Sequence, residues 1–431
     1  MSNRWCLLFG ILFSTVCLSQ EKWTLQDCVN KGKENSLKLM ISALETQVSE
    51  RQKQSVGSYY LPDITFNGGQ SYNFGSAIDP NTNSRVSSNI QSTRASLDAG
   101  VTLFDYSNFI QHKRDLLSID YAKLNEADVL FQYQSTLLEL FYEAIGSQAF
   151  LEIQQQQLVN SKANLERVQK EVEAGAKPKS DFYDIEYIYH SETISIKQTQ
   201  NTLYNQKLRL LHLLNYEGID VESFSLVQKE ESMAQLTAYE FNPTVEKAKL
   251  QQQVLEQEKK LIRSKNLPRL VGNYQYGSFY SKPFNSDVEL RSNPFSKQMG
   301  DNKSQYVSFG LSIPVFQGGN VRRQLRVKQE ELRLNTVKIK ESEVSLANQV
   351  KELDNEIIQL EDIAKQLQKS IELSEKSFST TQAKYENGQV DIFSFNGAKN
   401  QLLNSQFALI KNAYNHSFME DKRRLYYTNS L

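Results

Sequence analysis

Two carboxylates in the first half of the chain, Asp181 and Asp184, are spaced so that they can act together on a cation. A separation of three residues puts both side chains on one face of a helix. An ordinary structural role explains them as well, because an acidic residue in the first turn of a helix suits the helix dipole, and Ser180 is placed to cap that turn. The sequence leaves both interpretations open, and the helix terminus is the simpler one.

No other residues are arranged for catalysis. The chain has 4 histidines, and none of them has HxxxH or HExxH spacing. No GxGxxG or GxxxxGK[ST] phosphate loop is present. With 49 basic and 50 acidic residues, the charge gives no reason to expect a nucleic-acid partner. We therefore expect no enzyme, no cofactor and no metal site.

The N-terminal residues 1–19 have the pattern of an export signal. Arg4 precedes a short apolar stretch, residues 6–17, and Ser19 follows it. We expect cleavage after Ser19 or Gln20. Lipidation of Cys17 is an alternative, although Val16 is bulky where a small residue is expected. After cleavage Cys28 remains alone, so no disulfide is expected, and a buried position near a helix start is its simplest role.

Four segments alternate in the manner of strands, at about 62–74, 94–104, 268–280 and 305–316. In the last of them an apolar residue occupies every second position from Val307 to Val315. If Leu97 and Phe309 face lipid, small or polar residues face the other way. These candidates for a barrel lumen are Ser96, Asp98, Thr102, Ser308 and Ser312.

Long helices follow the strands. Residues 320–387 contain no glycine and no proline, and residues 108–173 are interrupted only by Gly146. Shorter return helices are predicted at 180–214 and 391–427, with others at 25–56 and 242–264. Within 320–387 apolar residues step by three and four as in a coiled coil; they are Val350, Leu353, Ile357, Leu360, Ala364, Leu367 and Ile371.

The chain has the pattern of a tandem duplication. Strand, helix and turn motifs of the first half recur 206 to 213 residues later; Leu61 matches Leu267, and Gly175 matches Gly388. We predict a first repeat at 20–215, a connector at 216–240 and a second repeat at 241–431. The tight turns lie at about 173–181 and 386–394 and are called the first tip and the second tip below.

Four strands cannot close a barrel, and an open sheet edge is not tolerated in lipid. Membrane barrels begin at about eight strands, so several copies would have to pool theirs. A barrel whose strands continue into helices would form a conduit. The alternative is a soluble periplasmic coiled-coil adaptor or scaffold, which explains the helices but not two duplicated pairs of alternating strands.

The sequence resembles the TolC-like outer-membrane efflux proteins. The motifs are "WTLQDCVNKGKENS", "SIPVFQGGNVRRQL" and "KYENGQVDIFSFNGAKNQLLNSQFAL", together with the tandem halves. The resemblance implies a mainly α fold with a membrane β-barrel part: a homotrimer with a twelve-stranded barrel and an α-helical periplasmic tunnel. It also implies a Gram-negative outer membrane, and partnership with a periplasmic adaptor and an inner-membrane transporter in efflux or type I secretion.

The resemblance also suggests functional positions. Family members carry acidic gate residues six and nine positions after the glycine of the second tip, where this chain has Ser394 and Gly397. The same offsets from Gly175 fall on Asp181 and Asp184, which become the candidate periplasmic gate. The tips would meet the adaptor. Their candidate contact residues are Gly175, Lys177, Pro178, Lys179, Gly388, Gln389, Val390 and Asp391.

Overall fold

The structure is a computed structural model that describes residues 21–78, 83, 85–87, 89–229, 241–284, 293–429 and 431. The predicted export signal and residues 230–240 of the predicted connector lie outside the described residues.

Helices dominate the described chain. They are α1 (Leu25–Asn35), α2 (Leu37–Gln52), α3 (Tyr106–Glu173), α4 (Lys179–Leu214), α5 (Pro243–Ser264), α6 (Phe295–Asp301), α7 (Asn320–Glu386) and α8 (Ile392–Thr428), with a 3₁₀ turn at Val56–Tyr60. The predicted bounds of α3, α4, α5, α7 and α8 are confirmed to within two residues. The single helix predicted at 25–56 is instead two helices, α1 and α2, which are separated at Ser36. None of the described helices is both long and apolar enough to cross a membrane.

The strands are β1 (Glu21–Trp23), β2 (Asp63–Asn73), β3 (Ser76–Ile78), β4 (Arg85–Ser87), β5 (Asn89–Asp105), β6 (Phe224–Leu226), β7 (Arg269–Phe284) and β8 (Ser304–Ser312). Four of them form an antiparallel sheet in the order β2-β5-β7-β8, while β1 pairs with β6 in parallel and β3 pairs with β4 antiparallel. The four predicted strands are therefore those of the main sheet.

Two strand ends differ from the prediction. β8 ends at Ser312, not near residue 316, because Pro314 has no N–H for a ladder and because β7 begins at Arg269, the partner of Ser312. β7 continues past residue 280 to Phe284, and the segment between β7 and β8 contains α6.

The chain divides into two compact units. One comprises residues 1–44, 125–246 and 342–431; the other comprises 45–124 and 247–341 and contains the main sheet. In the first unit the central core joins α1, α3, α4, β6 and α8, and Trp23 stacks on Phe224 at 4.5 Å between ring centroids. Cys28 lies in this core as a free, fully buried thiol, and burial raises its pKa to about 12, which confirms its structural role.

The predicted seam of α7 is buried at its first three positions and half-buried at the other four. Val350, Leu353 and Ile357 are 4–8% exposed, whereas the neighbouring Ile358 is 60% exposed. A three- and four-residue apolar step keeps one face of the helix against its neighbours, so the burial follows directly from the spacing.

Candidate functional site

Both tips end a long helix with the same backbone motif. At the first tip the N–H of Gly175 donates to the carbonyl of Val172 at 3.0 Å, and the N–H of Ala176 donates to that of Glu171 at 2.8 Å. At the second tip Gly388 and Gln389 make the equivalent bonds at 3.1 and 2.8 Å. This is the Schellman motif, which needs a left-handed residue. Gly175 has φ +75° and Gly388 has φ +69°, as glycine allows.

The helices that leave the tips start differently. Asp391 caps α8, because its carboxylate accepts a hydrogen bond from the N–H of Ser394 at 2.8 Å. These bonds hold the pKa of Asp391 below its usual value. α4 has Pro178 as its N-cap, with no side-chain cap. The expectation that Ser180 caps α4 is therefore wrong: Ser180 lies inside the helix, and its hydroxyl donates to Asp181 at 3.3 Å.

The eight predicted contact residues are not equally accessible. Most are exposed, but Lys177 turns inward: its Nζ lies 3.3 Å from a carboxylate oxygen of Glu171 and 4.2 Å from the ring centroid of Tyr385. Val390 is half-buried against the apolar cluster between the tips. The exposed ones are Gly175, Pro178, Lys179, Gly388, Gln389 and Asp391.

An apolar cluster joins the two tips. Its buried members come from α3, α4, α7 and α8, and Tyr385 stacks on Phe395 at 4.9 Å between centroids. The buried set is Val168, Ile185, Tyr385, Ile392 and Phe395. The tip ends of the two helical hairpins, α3–α4 and α7–α8, are therefore packed together within one chain.

Asp181 and Asp184 are both half-buried. Asp181 precedes Ile185 by one helical turn, so the pair lies on the side of α4 that faces the apolar cluster. The opposite side of α4 is exposed, with Tyr183 at 61% and Tyr187 at 74%. Among the described residues no three acidic, histidine or cysteine side chains are grouped to hold a metal ion.

Sequence reasoning missed a buried polar network above the tips. Lys399 of α8 lies 2.8 Å from a carboxylate oxygen of Glu192 on α4 and also donates to the hydroxyl of Ser161 on α3, which in turn donates to Glu192. The sequence contained one indication of this network. Lys399 lies between Phe395 and Leu402 at helical spacing, on the face of α8 that is otherwise apolar and buried. A charge at such a position indicates a buried partner.

In the main sheet the register places the five predicted lumen residues on one face. On β5, Asp98 pairs with Gln275 and Ser96 pairs with Gly277 of β7. On β8, Ser308 pairs with Asn273 and Ser312 pairs with Arg269, and these β7 residues lie on the same face as Gln275 and Gly277. Asp98 accepts hydrogen bonds from Asn67 at 2.6 Å, Ser96 at 2.8 Å and Gln275 at 2.5 Å, so it links three strands.

A bulge interrupts β5 near the helices. The register with β7 shifts between Thr102 and Phe104, which reverses the side-chain alternation beyond that point. Thr102 lies before the shift and accepts a hydrogen bond from Arg269 at 3.3 Å. The predicted parity therefore holds for all five residues.

The other face of the sheet is apolar and exposed. Phe66 is 70%, Phe309 73% and Leu311 64% exposed, and Tyr274 and Tyr276 belong to the same face. An exposed apolar surface of this kind indicates an interface with protein or lipid.

Comparison with known proteins finds a family match in the second half of the chain. Residues 237–417 match the family described as Outer membrane efflux protein. Over that segment this chain is similar to the outer-membrane efflux proteins. Its fold is similar to that of VceC from Vibrio cholerae, with 13% identity, a TM-score of 0.76, and 93% of this chain and 95% of that chain covered.

Two further channel structures are similar to this chain. CmeC from Campylobacter jejuni matches with 12% identity and a TM-score of 0.76, over 93% of this chain and 84% of the other. MtrE from Neisseria gonorrhoeae matches with 14% identity and a TM-score of 0.68, over 93% and 88%. The comparison with curated protein sequences finds no match.

The family match and the similar channel structures together indicate the general activity. The protein is an efflux channel of the outer membrane with a periplasmic extension, and it is not an enzyme. Channels of this family work in tripartite efflux systems with adaptor proteins.

Proposed function

We propose that three copies of this chain form a passive exit duct, with a twelve-stranded barrel in the outer membrane and an α-helical tunnel in the periplasm. The observation that carries the proposal is the sheet β2-β5-β7-β8, whose edge strands β2 and β8 have no further partner strand among the described residues. Lipid does not tolerate an open edge. Closure therefore requires other copies, and three copies give twelve strands.

The two faces of the sheet support this orientation. The apolar face with Phe66 and Phe309 would meet lipid, and the polar face would line the lumen with Ser96, Asp98, Thr102, Ser308 and Ser312. Strands of a membrane barrel alternate in this way. A soluble scaffold, the alternative, would leave large aromatic and aliphatic side chains in water.

The tips are the proposed meeting point with the adaptor, through which an inner-membrane transporter would supply the energy for export. The exposed Lys179, Gly388 and Gln389 support this role. Asp181 and Asp184 are the proposed gate. Three copies would bring six carboxylates into one ring, and such a ring attracts cations.

The proposed duplication, with repeats at 20–215 and 241–431, is supported by the matching turns at Gly175 and Gly388. Each repeat would supply two strands, one long helix and its return helix. Residues 1–19 remain the proposed export signal.

Single-channel conductance of the purified protein in a planar bilayer tests the duct, with the stoichiometry determined in the same detergent. We expect a trimer and small, cation-selective current steps. A folded, elongated monomer that stays in solution without detergent and opens no channel would overturn the duct and support the scaffold.

A further inference from the structure

The short helix α6 is fixed to the far end of β7, beyond the end of β8. The ladder between β7 and β8 stops at Gly277 and Ser304. Past that point the side-chain amide of Gln298 satisfies the backbone of β7 that β8 no longer pairs with. Its Oε1 accepts a hydrogen bond from the N–H of Ser281 at 3.0 Å, and its Nε2 donates one to the carbonyl of Ser281 at 3.1 Å.

Further contacts hold α6 in place. The side-chain amide of Asn302 donates to the carbonyl of Phe279 at 2.8 Å, and the hydroxyl of Ser278 donates to the carbonyl of Met299 at 2.8 Å. Gln298 is 4% exposed. These contacts define the α6–β7 junction.

Three exposed lysines surround this junction. Lys282 follows Ser281, Lys297 precedes Gln298, and Lys303 follows Asn302, so each is next in the chain to a residue that makes a junction contact. Asp301 is the acidic residue beside them in the described part of this region. The described residues of the junction therefore carry more positive than negative charge.

Lys282 lies where the apolar face of the sheet ends. Lys282 has the same parity on β7 as Tyr276 and Tyr280, so its side chain projects to the apolar face. The ring of Tyr280 contacts that of Phe295 on α6 at 5.1 Å between centroids, and Phe295 is 52% exposed. Aromatic residues flank the apolar band of membrane barrels at the lipid–water boundary.

We propose that the α6–β7 junction binds the phosphate groups of lipids in the outer leaflet, with Lys282, Lys297 and Lys303 as the cationic ligands. This inference rests on the proposed barrel, in which the apolar face meets lipid and the β7–β8 connection lies at the end opposite the helices. A lysine near an anionic membrane surface contributes about 1 kcal/mol, which is about fivefold in affinity.

The test is native mass spectrometry of the detergent-solubilised protein titrated with bisphosphorylated lipid A and, separately, with its dephosphorylated form. We expect the phosphorylated lipid to bind more tightly. The triple variant Lys282→Gln, Lys297→Gln, Lys303→Gln should lose about 100-fold in affinity for it. A matched variant with three exposed helix lysines changed, Lys338→Gln, Lys340→Gln and Lys351→Gln, should bind as the wild type does.

A second variant separates the geometry of the junction from its charge. Gln298→Ala keeps all three lysines but removes the bonds to Ser281, so it should also weaken binding. Binding by the triple variant at wild-type affinity, equal binding of the dephosphorylated lipid, or displacement by millimolar inorganic phosphate would overturn the inference.

Conductance in a planar bilayer distinguishes this inference from the duct. The triple variant should open channels of wild-type conductance, because Lys282 projects to the apolar face and α6 packs against Tyr280 of the same face. A wild-type protein that opens no channel would contradict the duct. The lipid-phosphate binding is measured separately by mass spectrometry in detergent, so its failure would contradict only the inference about the junction.

Discussion

Lys399 and Glu192 form an ion pair at 2.8 Å although they lie 207 residues apart in the sequence. The side chain of Lys399 is 8% exposed and that of Glu192 is 24% exposed. The pair joins α8 to α4, and Ser161 extends it to α3. It therefore ties the second helical hairpin to the first within one chain.

Lys399→Met should destabilise the protein by about 3 kcal/mol, because it leaves the largely buried Glu192 carboxylate without a cation and with only the Ser161 hydroxyl beside it. The double variant Lys399→Met, Glu192→Leu should recover most of this loss, since no charge remains to be desolvated. Thermal unfolding in detergent measures both.

The exposed pair Lys376–Glu372, at 2.6 Å, is the control, and Lys376→Met should cost less than about 1 kcal/mol. Equal losses for Lys399 and Lys376 would contradict this account.

Gly388→Ala should destabilise the second tip by about 1 kcal/mol, because alanine is strained at φ +69°. No neighbouring atom lies within 4 Å of the added Cβ, so the cost is conformational. Gly146→Ala is the matched control: it also has free space, but it lies inside α3, and it should stabilise the protein by about 0.5 kcal/mol. Unfolding midpoints that shift in the same direction would argue against the left-handed turn.

The long helices could be predicted from the sequence because their signals are local. α7 was predicted at 320–387 and runs from Asn320 to Glu386, since no glycine or proline interrupts it and a glycine follows its end. The parity of β5 and β8 was predicted for the same reason: alternation is a property of neighbouring residues.

The rest depends on contacts that are distant in sequence. α6 has seven residues in a polar stretch and is fixed by its contacts with β7, so periodicity gave no sign of it. Lys177 was predicted as an adaptor contact, but it is half-buried because it lies against Tyr385, near the end of α7. The partners of Lys399 are equally non-local.

The two lysines of the first tip should behave differently. Lys179→Glu should lower export while leaving stability unchanged, because Lys179 is exposed and an acidic residue suits the start of α4. Lys177→Glu should instead destabilise the tip, because it brings a carboxylate to Glu171 and removes the cation from Tyr385. Drug susceptibility of cells that carry the channel with its own adaptor and transporter measures export, and unfolding of the purified protein measures stability.

The control for export is Lys162→Glu, an exposed residue on α3 away from the tips. Its export should equal that of the wild type. Unchanged export by Lys179→Glu would count against an adaptor contact at the first tip.

The cap at Asp391 predicts a pH dependence. Hydrogen bonds from Ser394 hold the pKa of Asp391 below its usual value, so the unfolded chain takes up the proton at higher pH than the folded protein. The stabilisation is complete above the ordinary pKa of about 4 and is lost as pH falls through the lower folded value. Asp391→Asn keeps an acceptor oxygen but cannot titrate. The Tm difference between wild type and this variant should favour the wild type less as pH falls below about 4. A difference that is constant from pH 7 to 3 would contradict the cap.

Asp181 and Asp184 give the sharpest test of the gate, because the structure offers a competing role. Both are half-buried on the side of α4 that faces the apolar cluster, and Asp181 lies in the first turn of the helix. If they form the proposed ring, the pore of the double variant Asp181→Asn, Asp184→Asn should lose cation selectivity and be blocked less by divalent cations, because a neutral ring no longer attracts them. If they only complement the helix dipole, conductance should stay the same and stability should fall by about 0.5 kcal/mol. Glu186→Gln, on the same helix, removes a charge outside the pair and should leave both conductance and block unchanged.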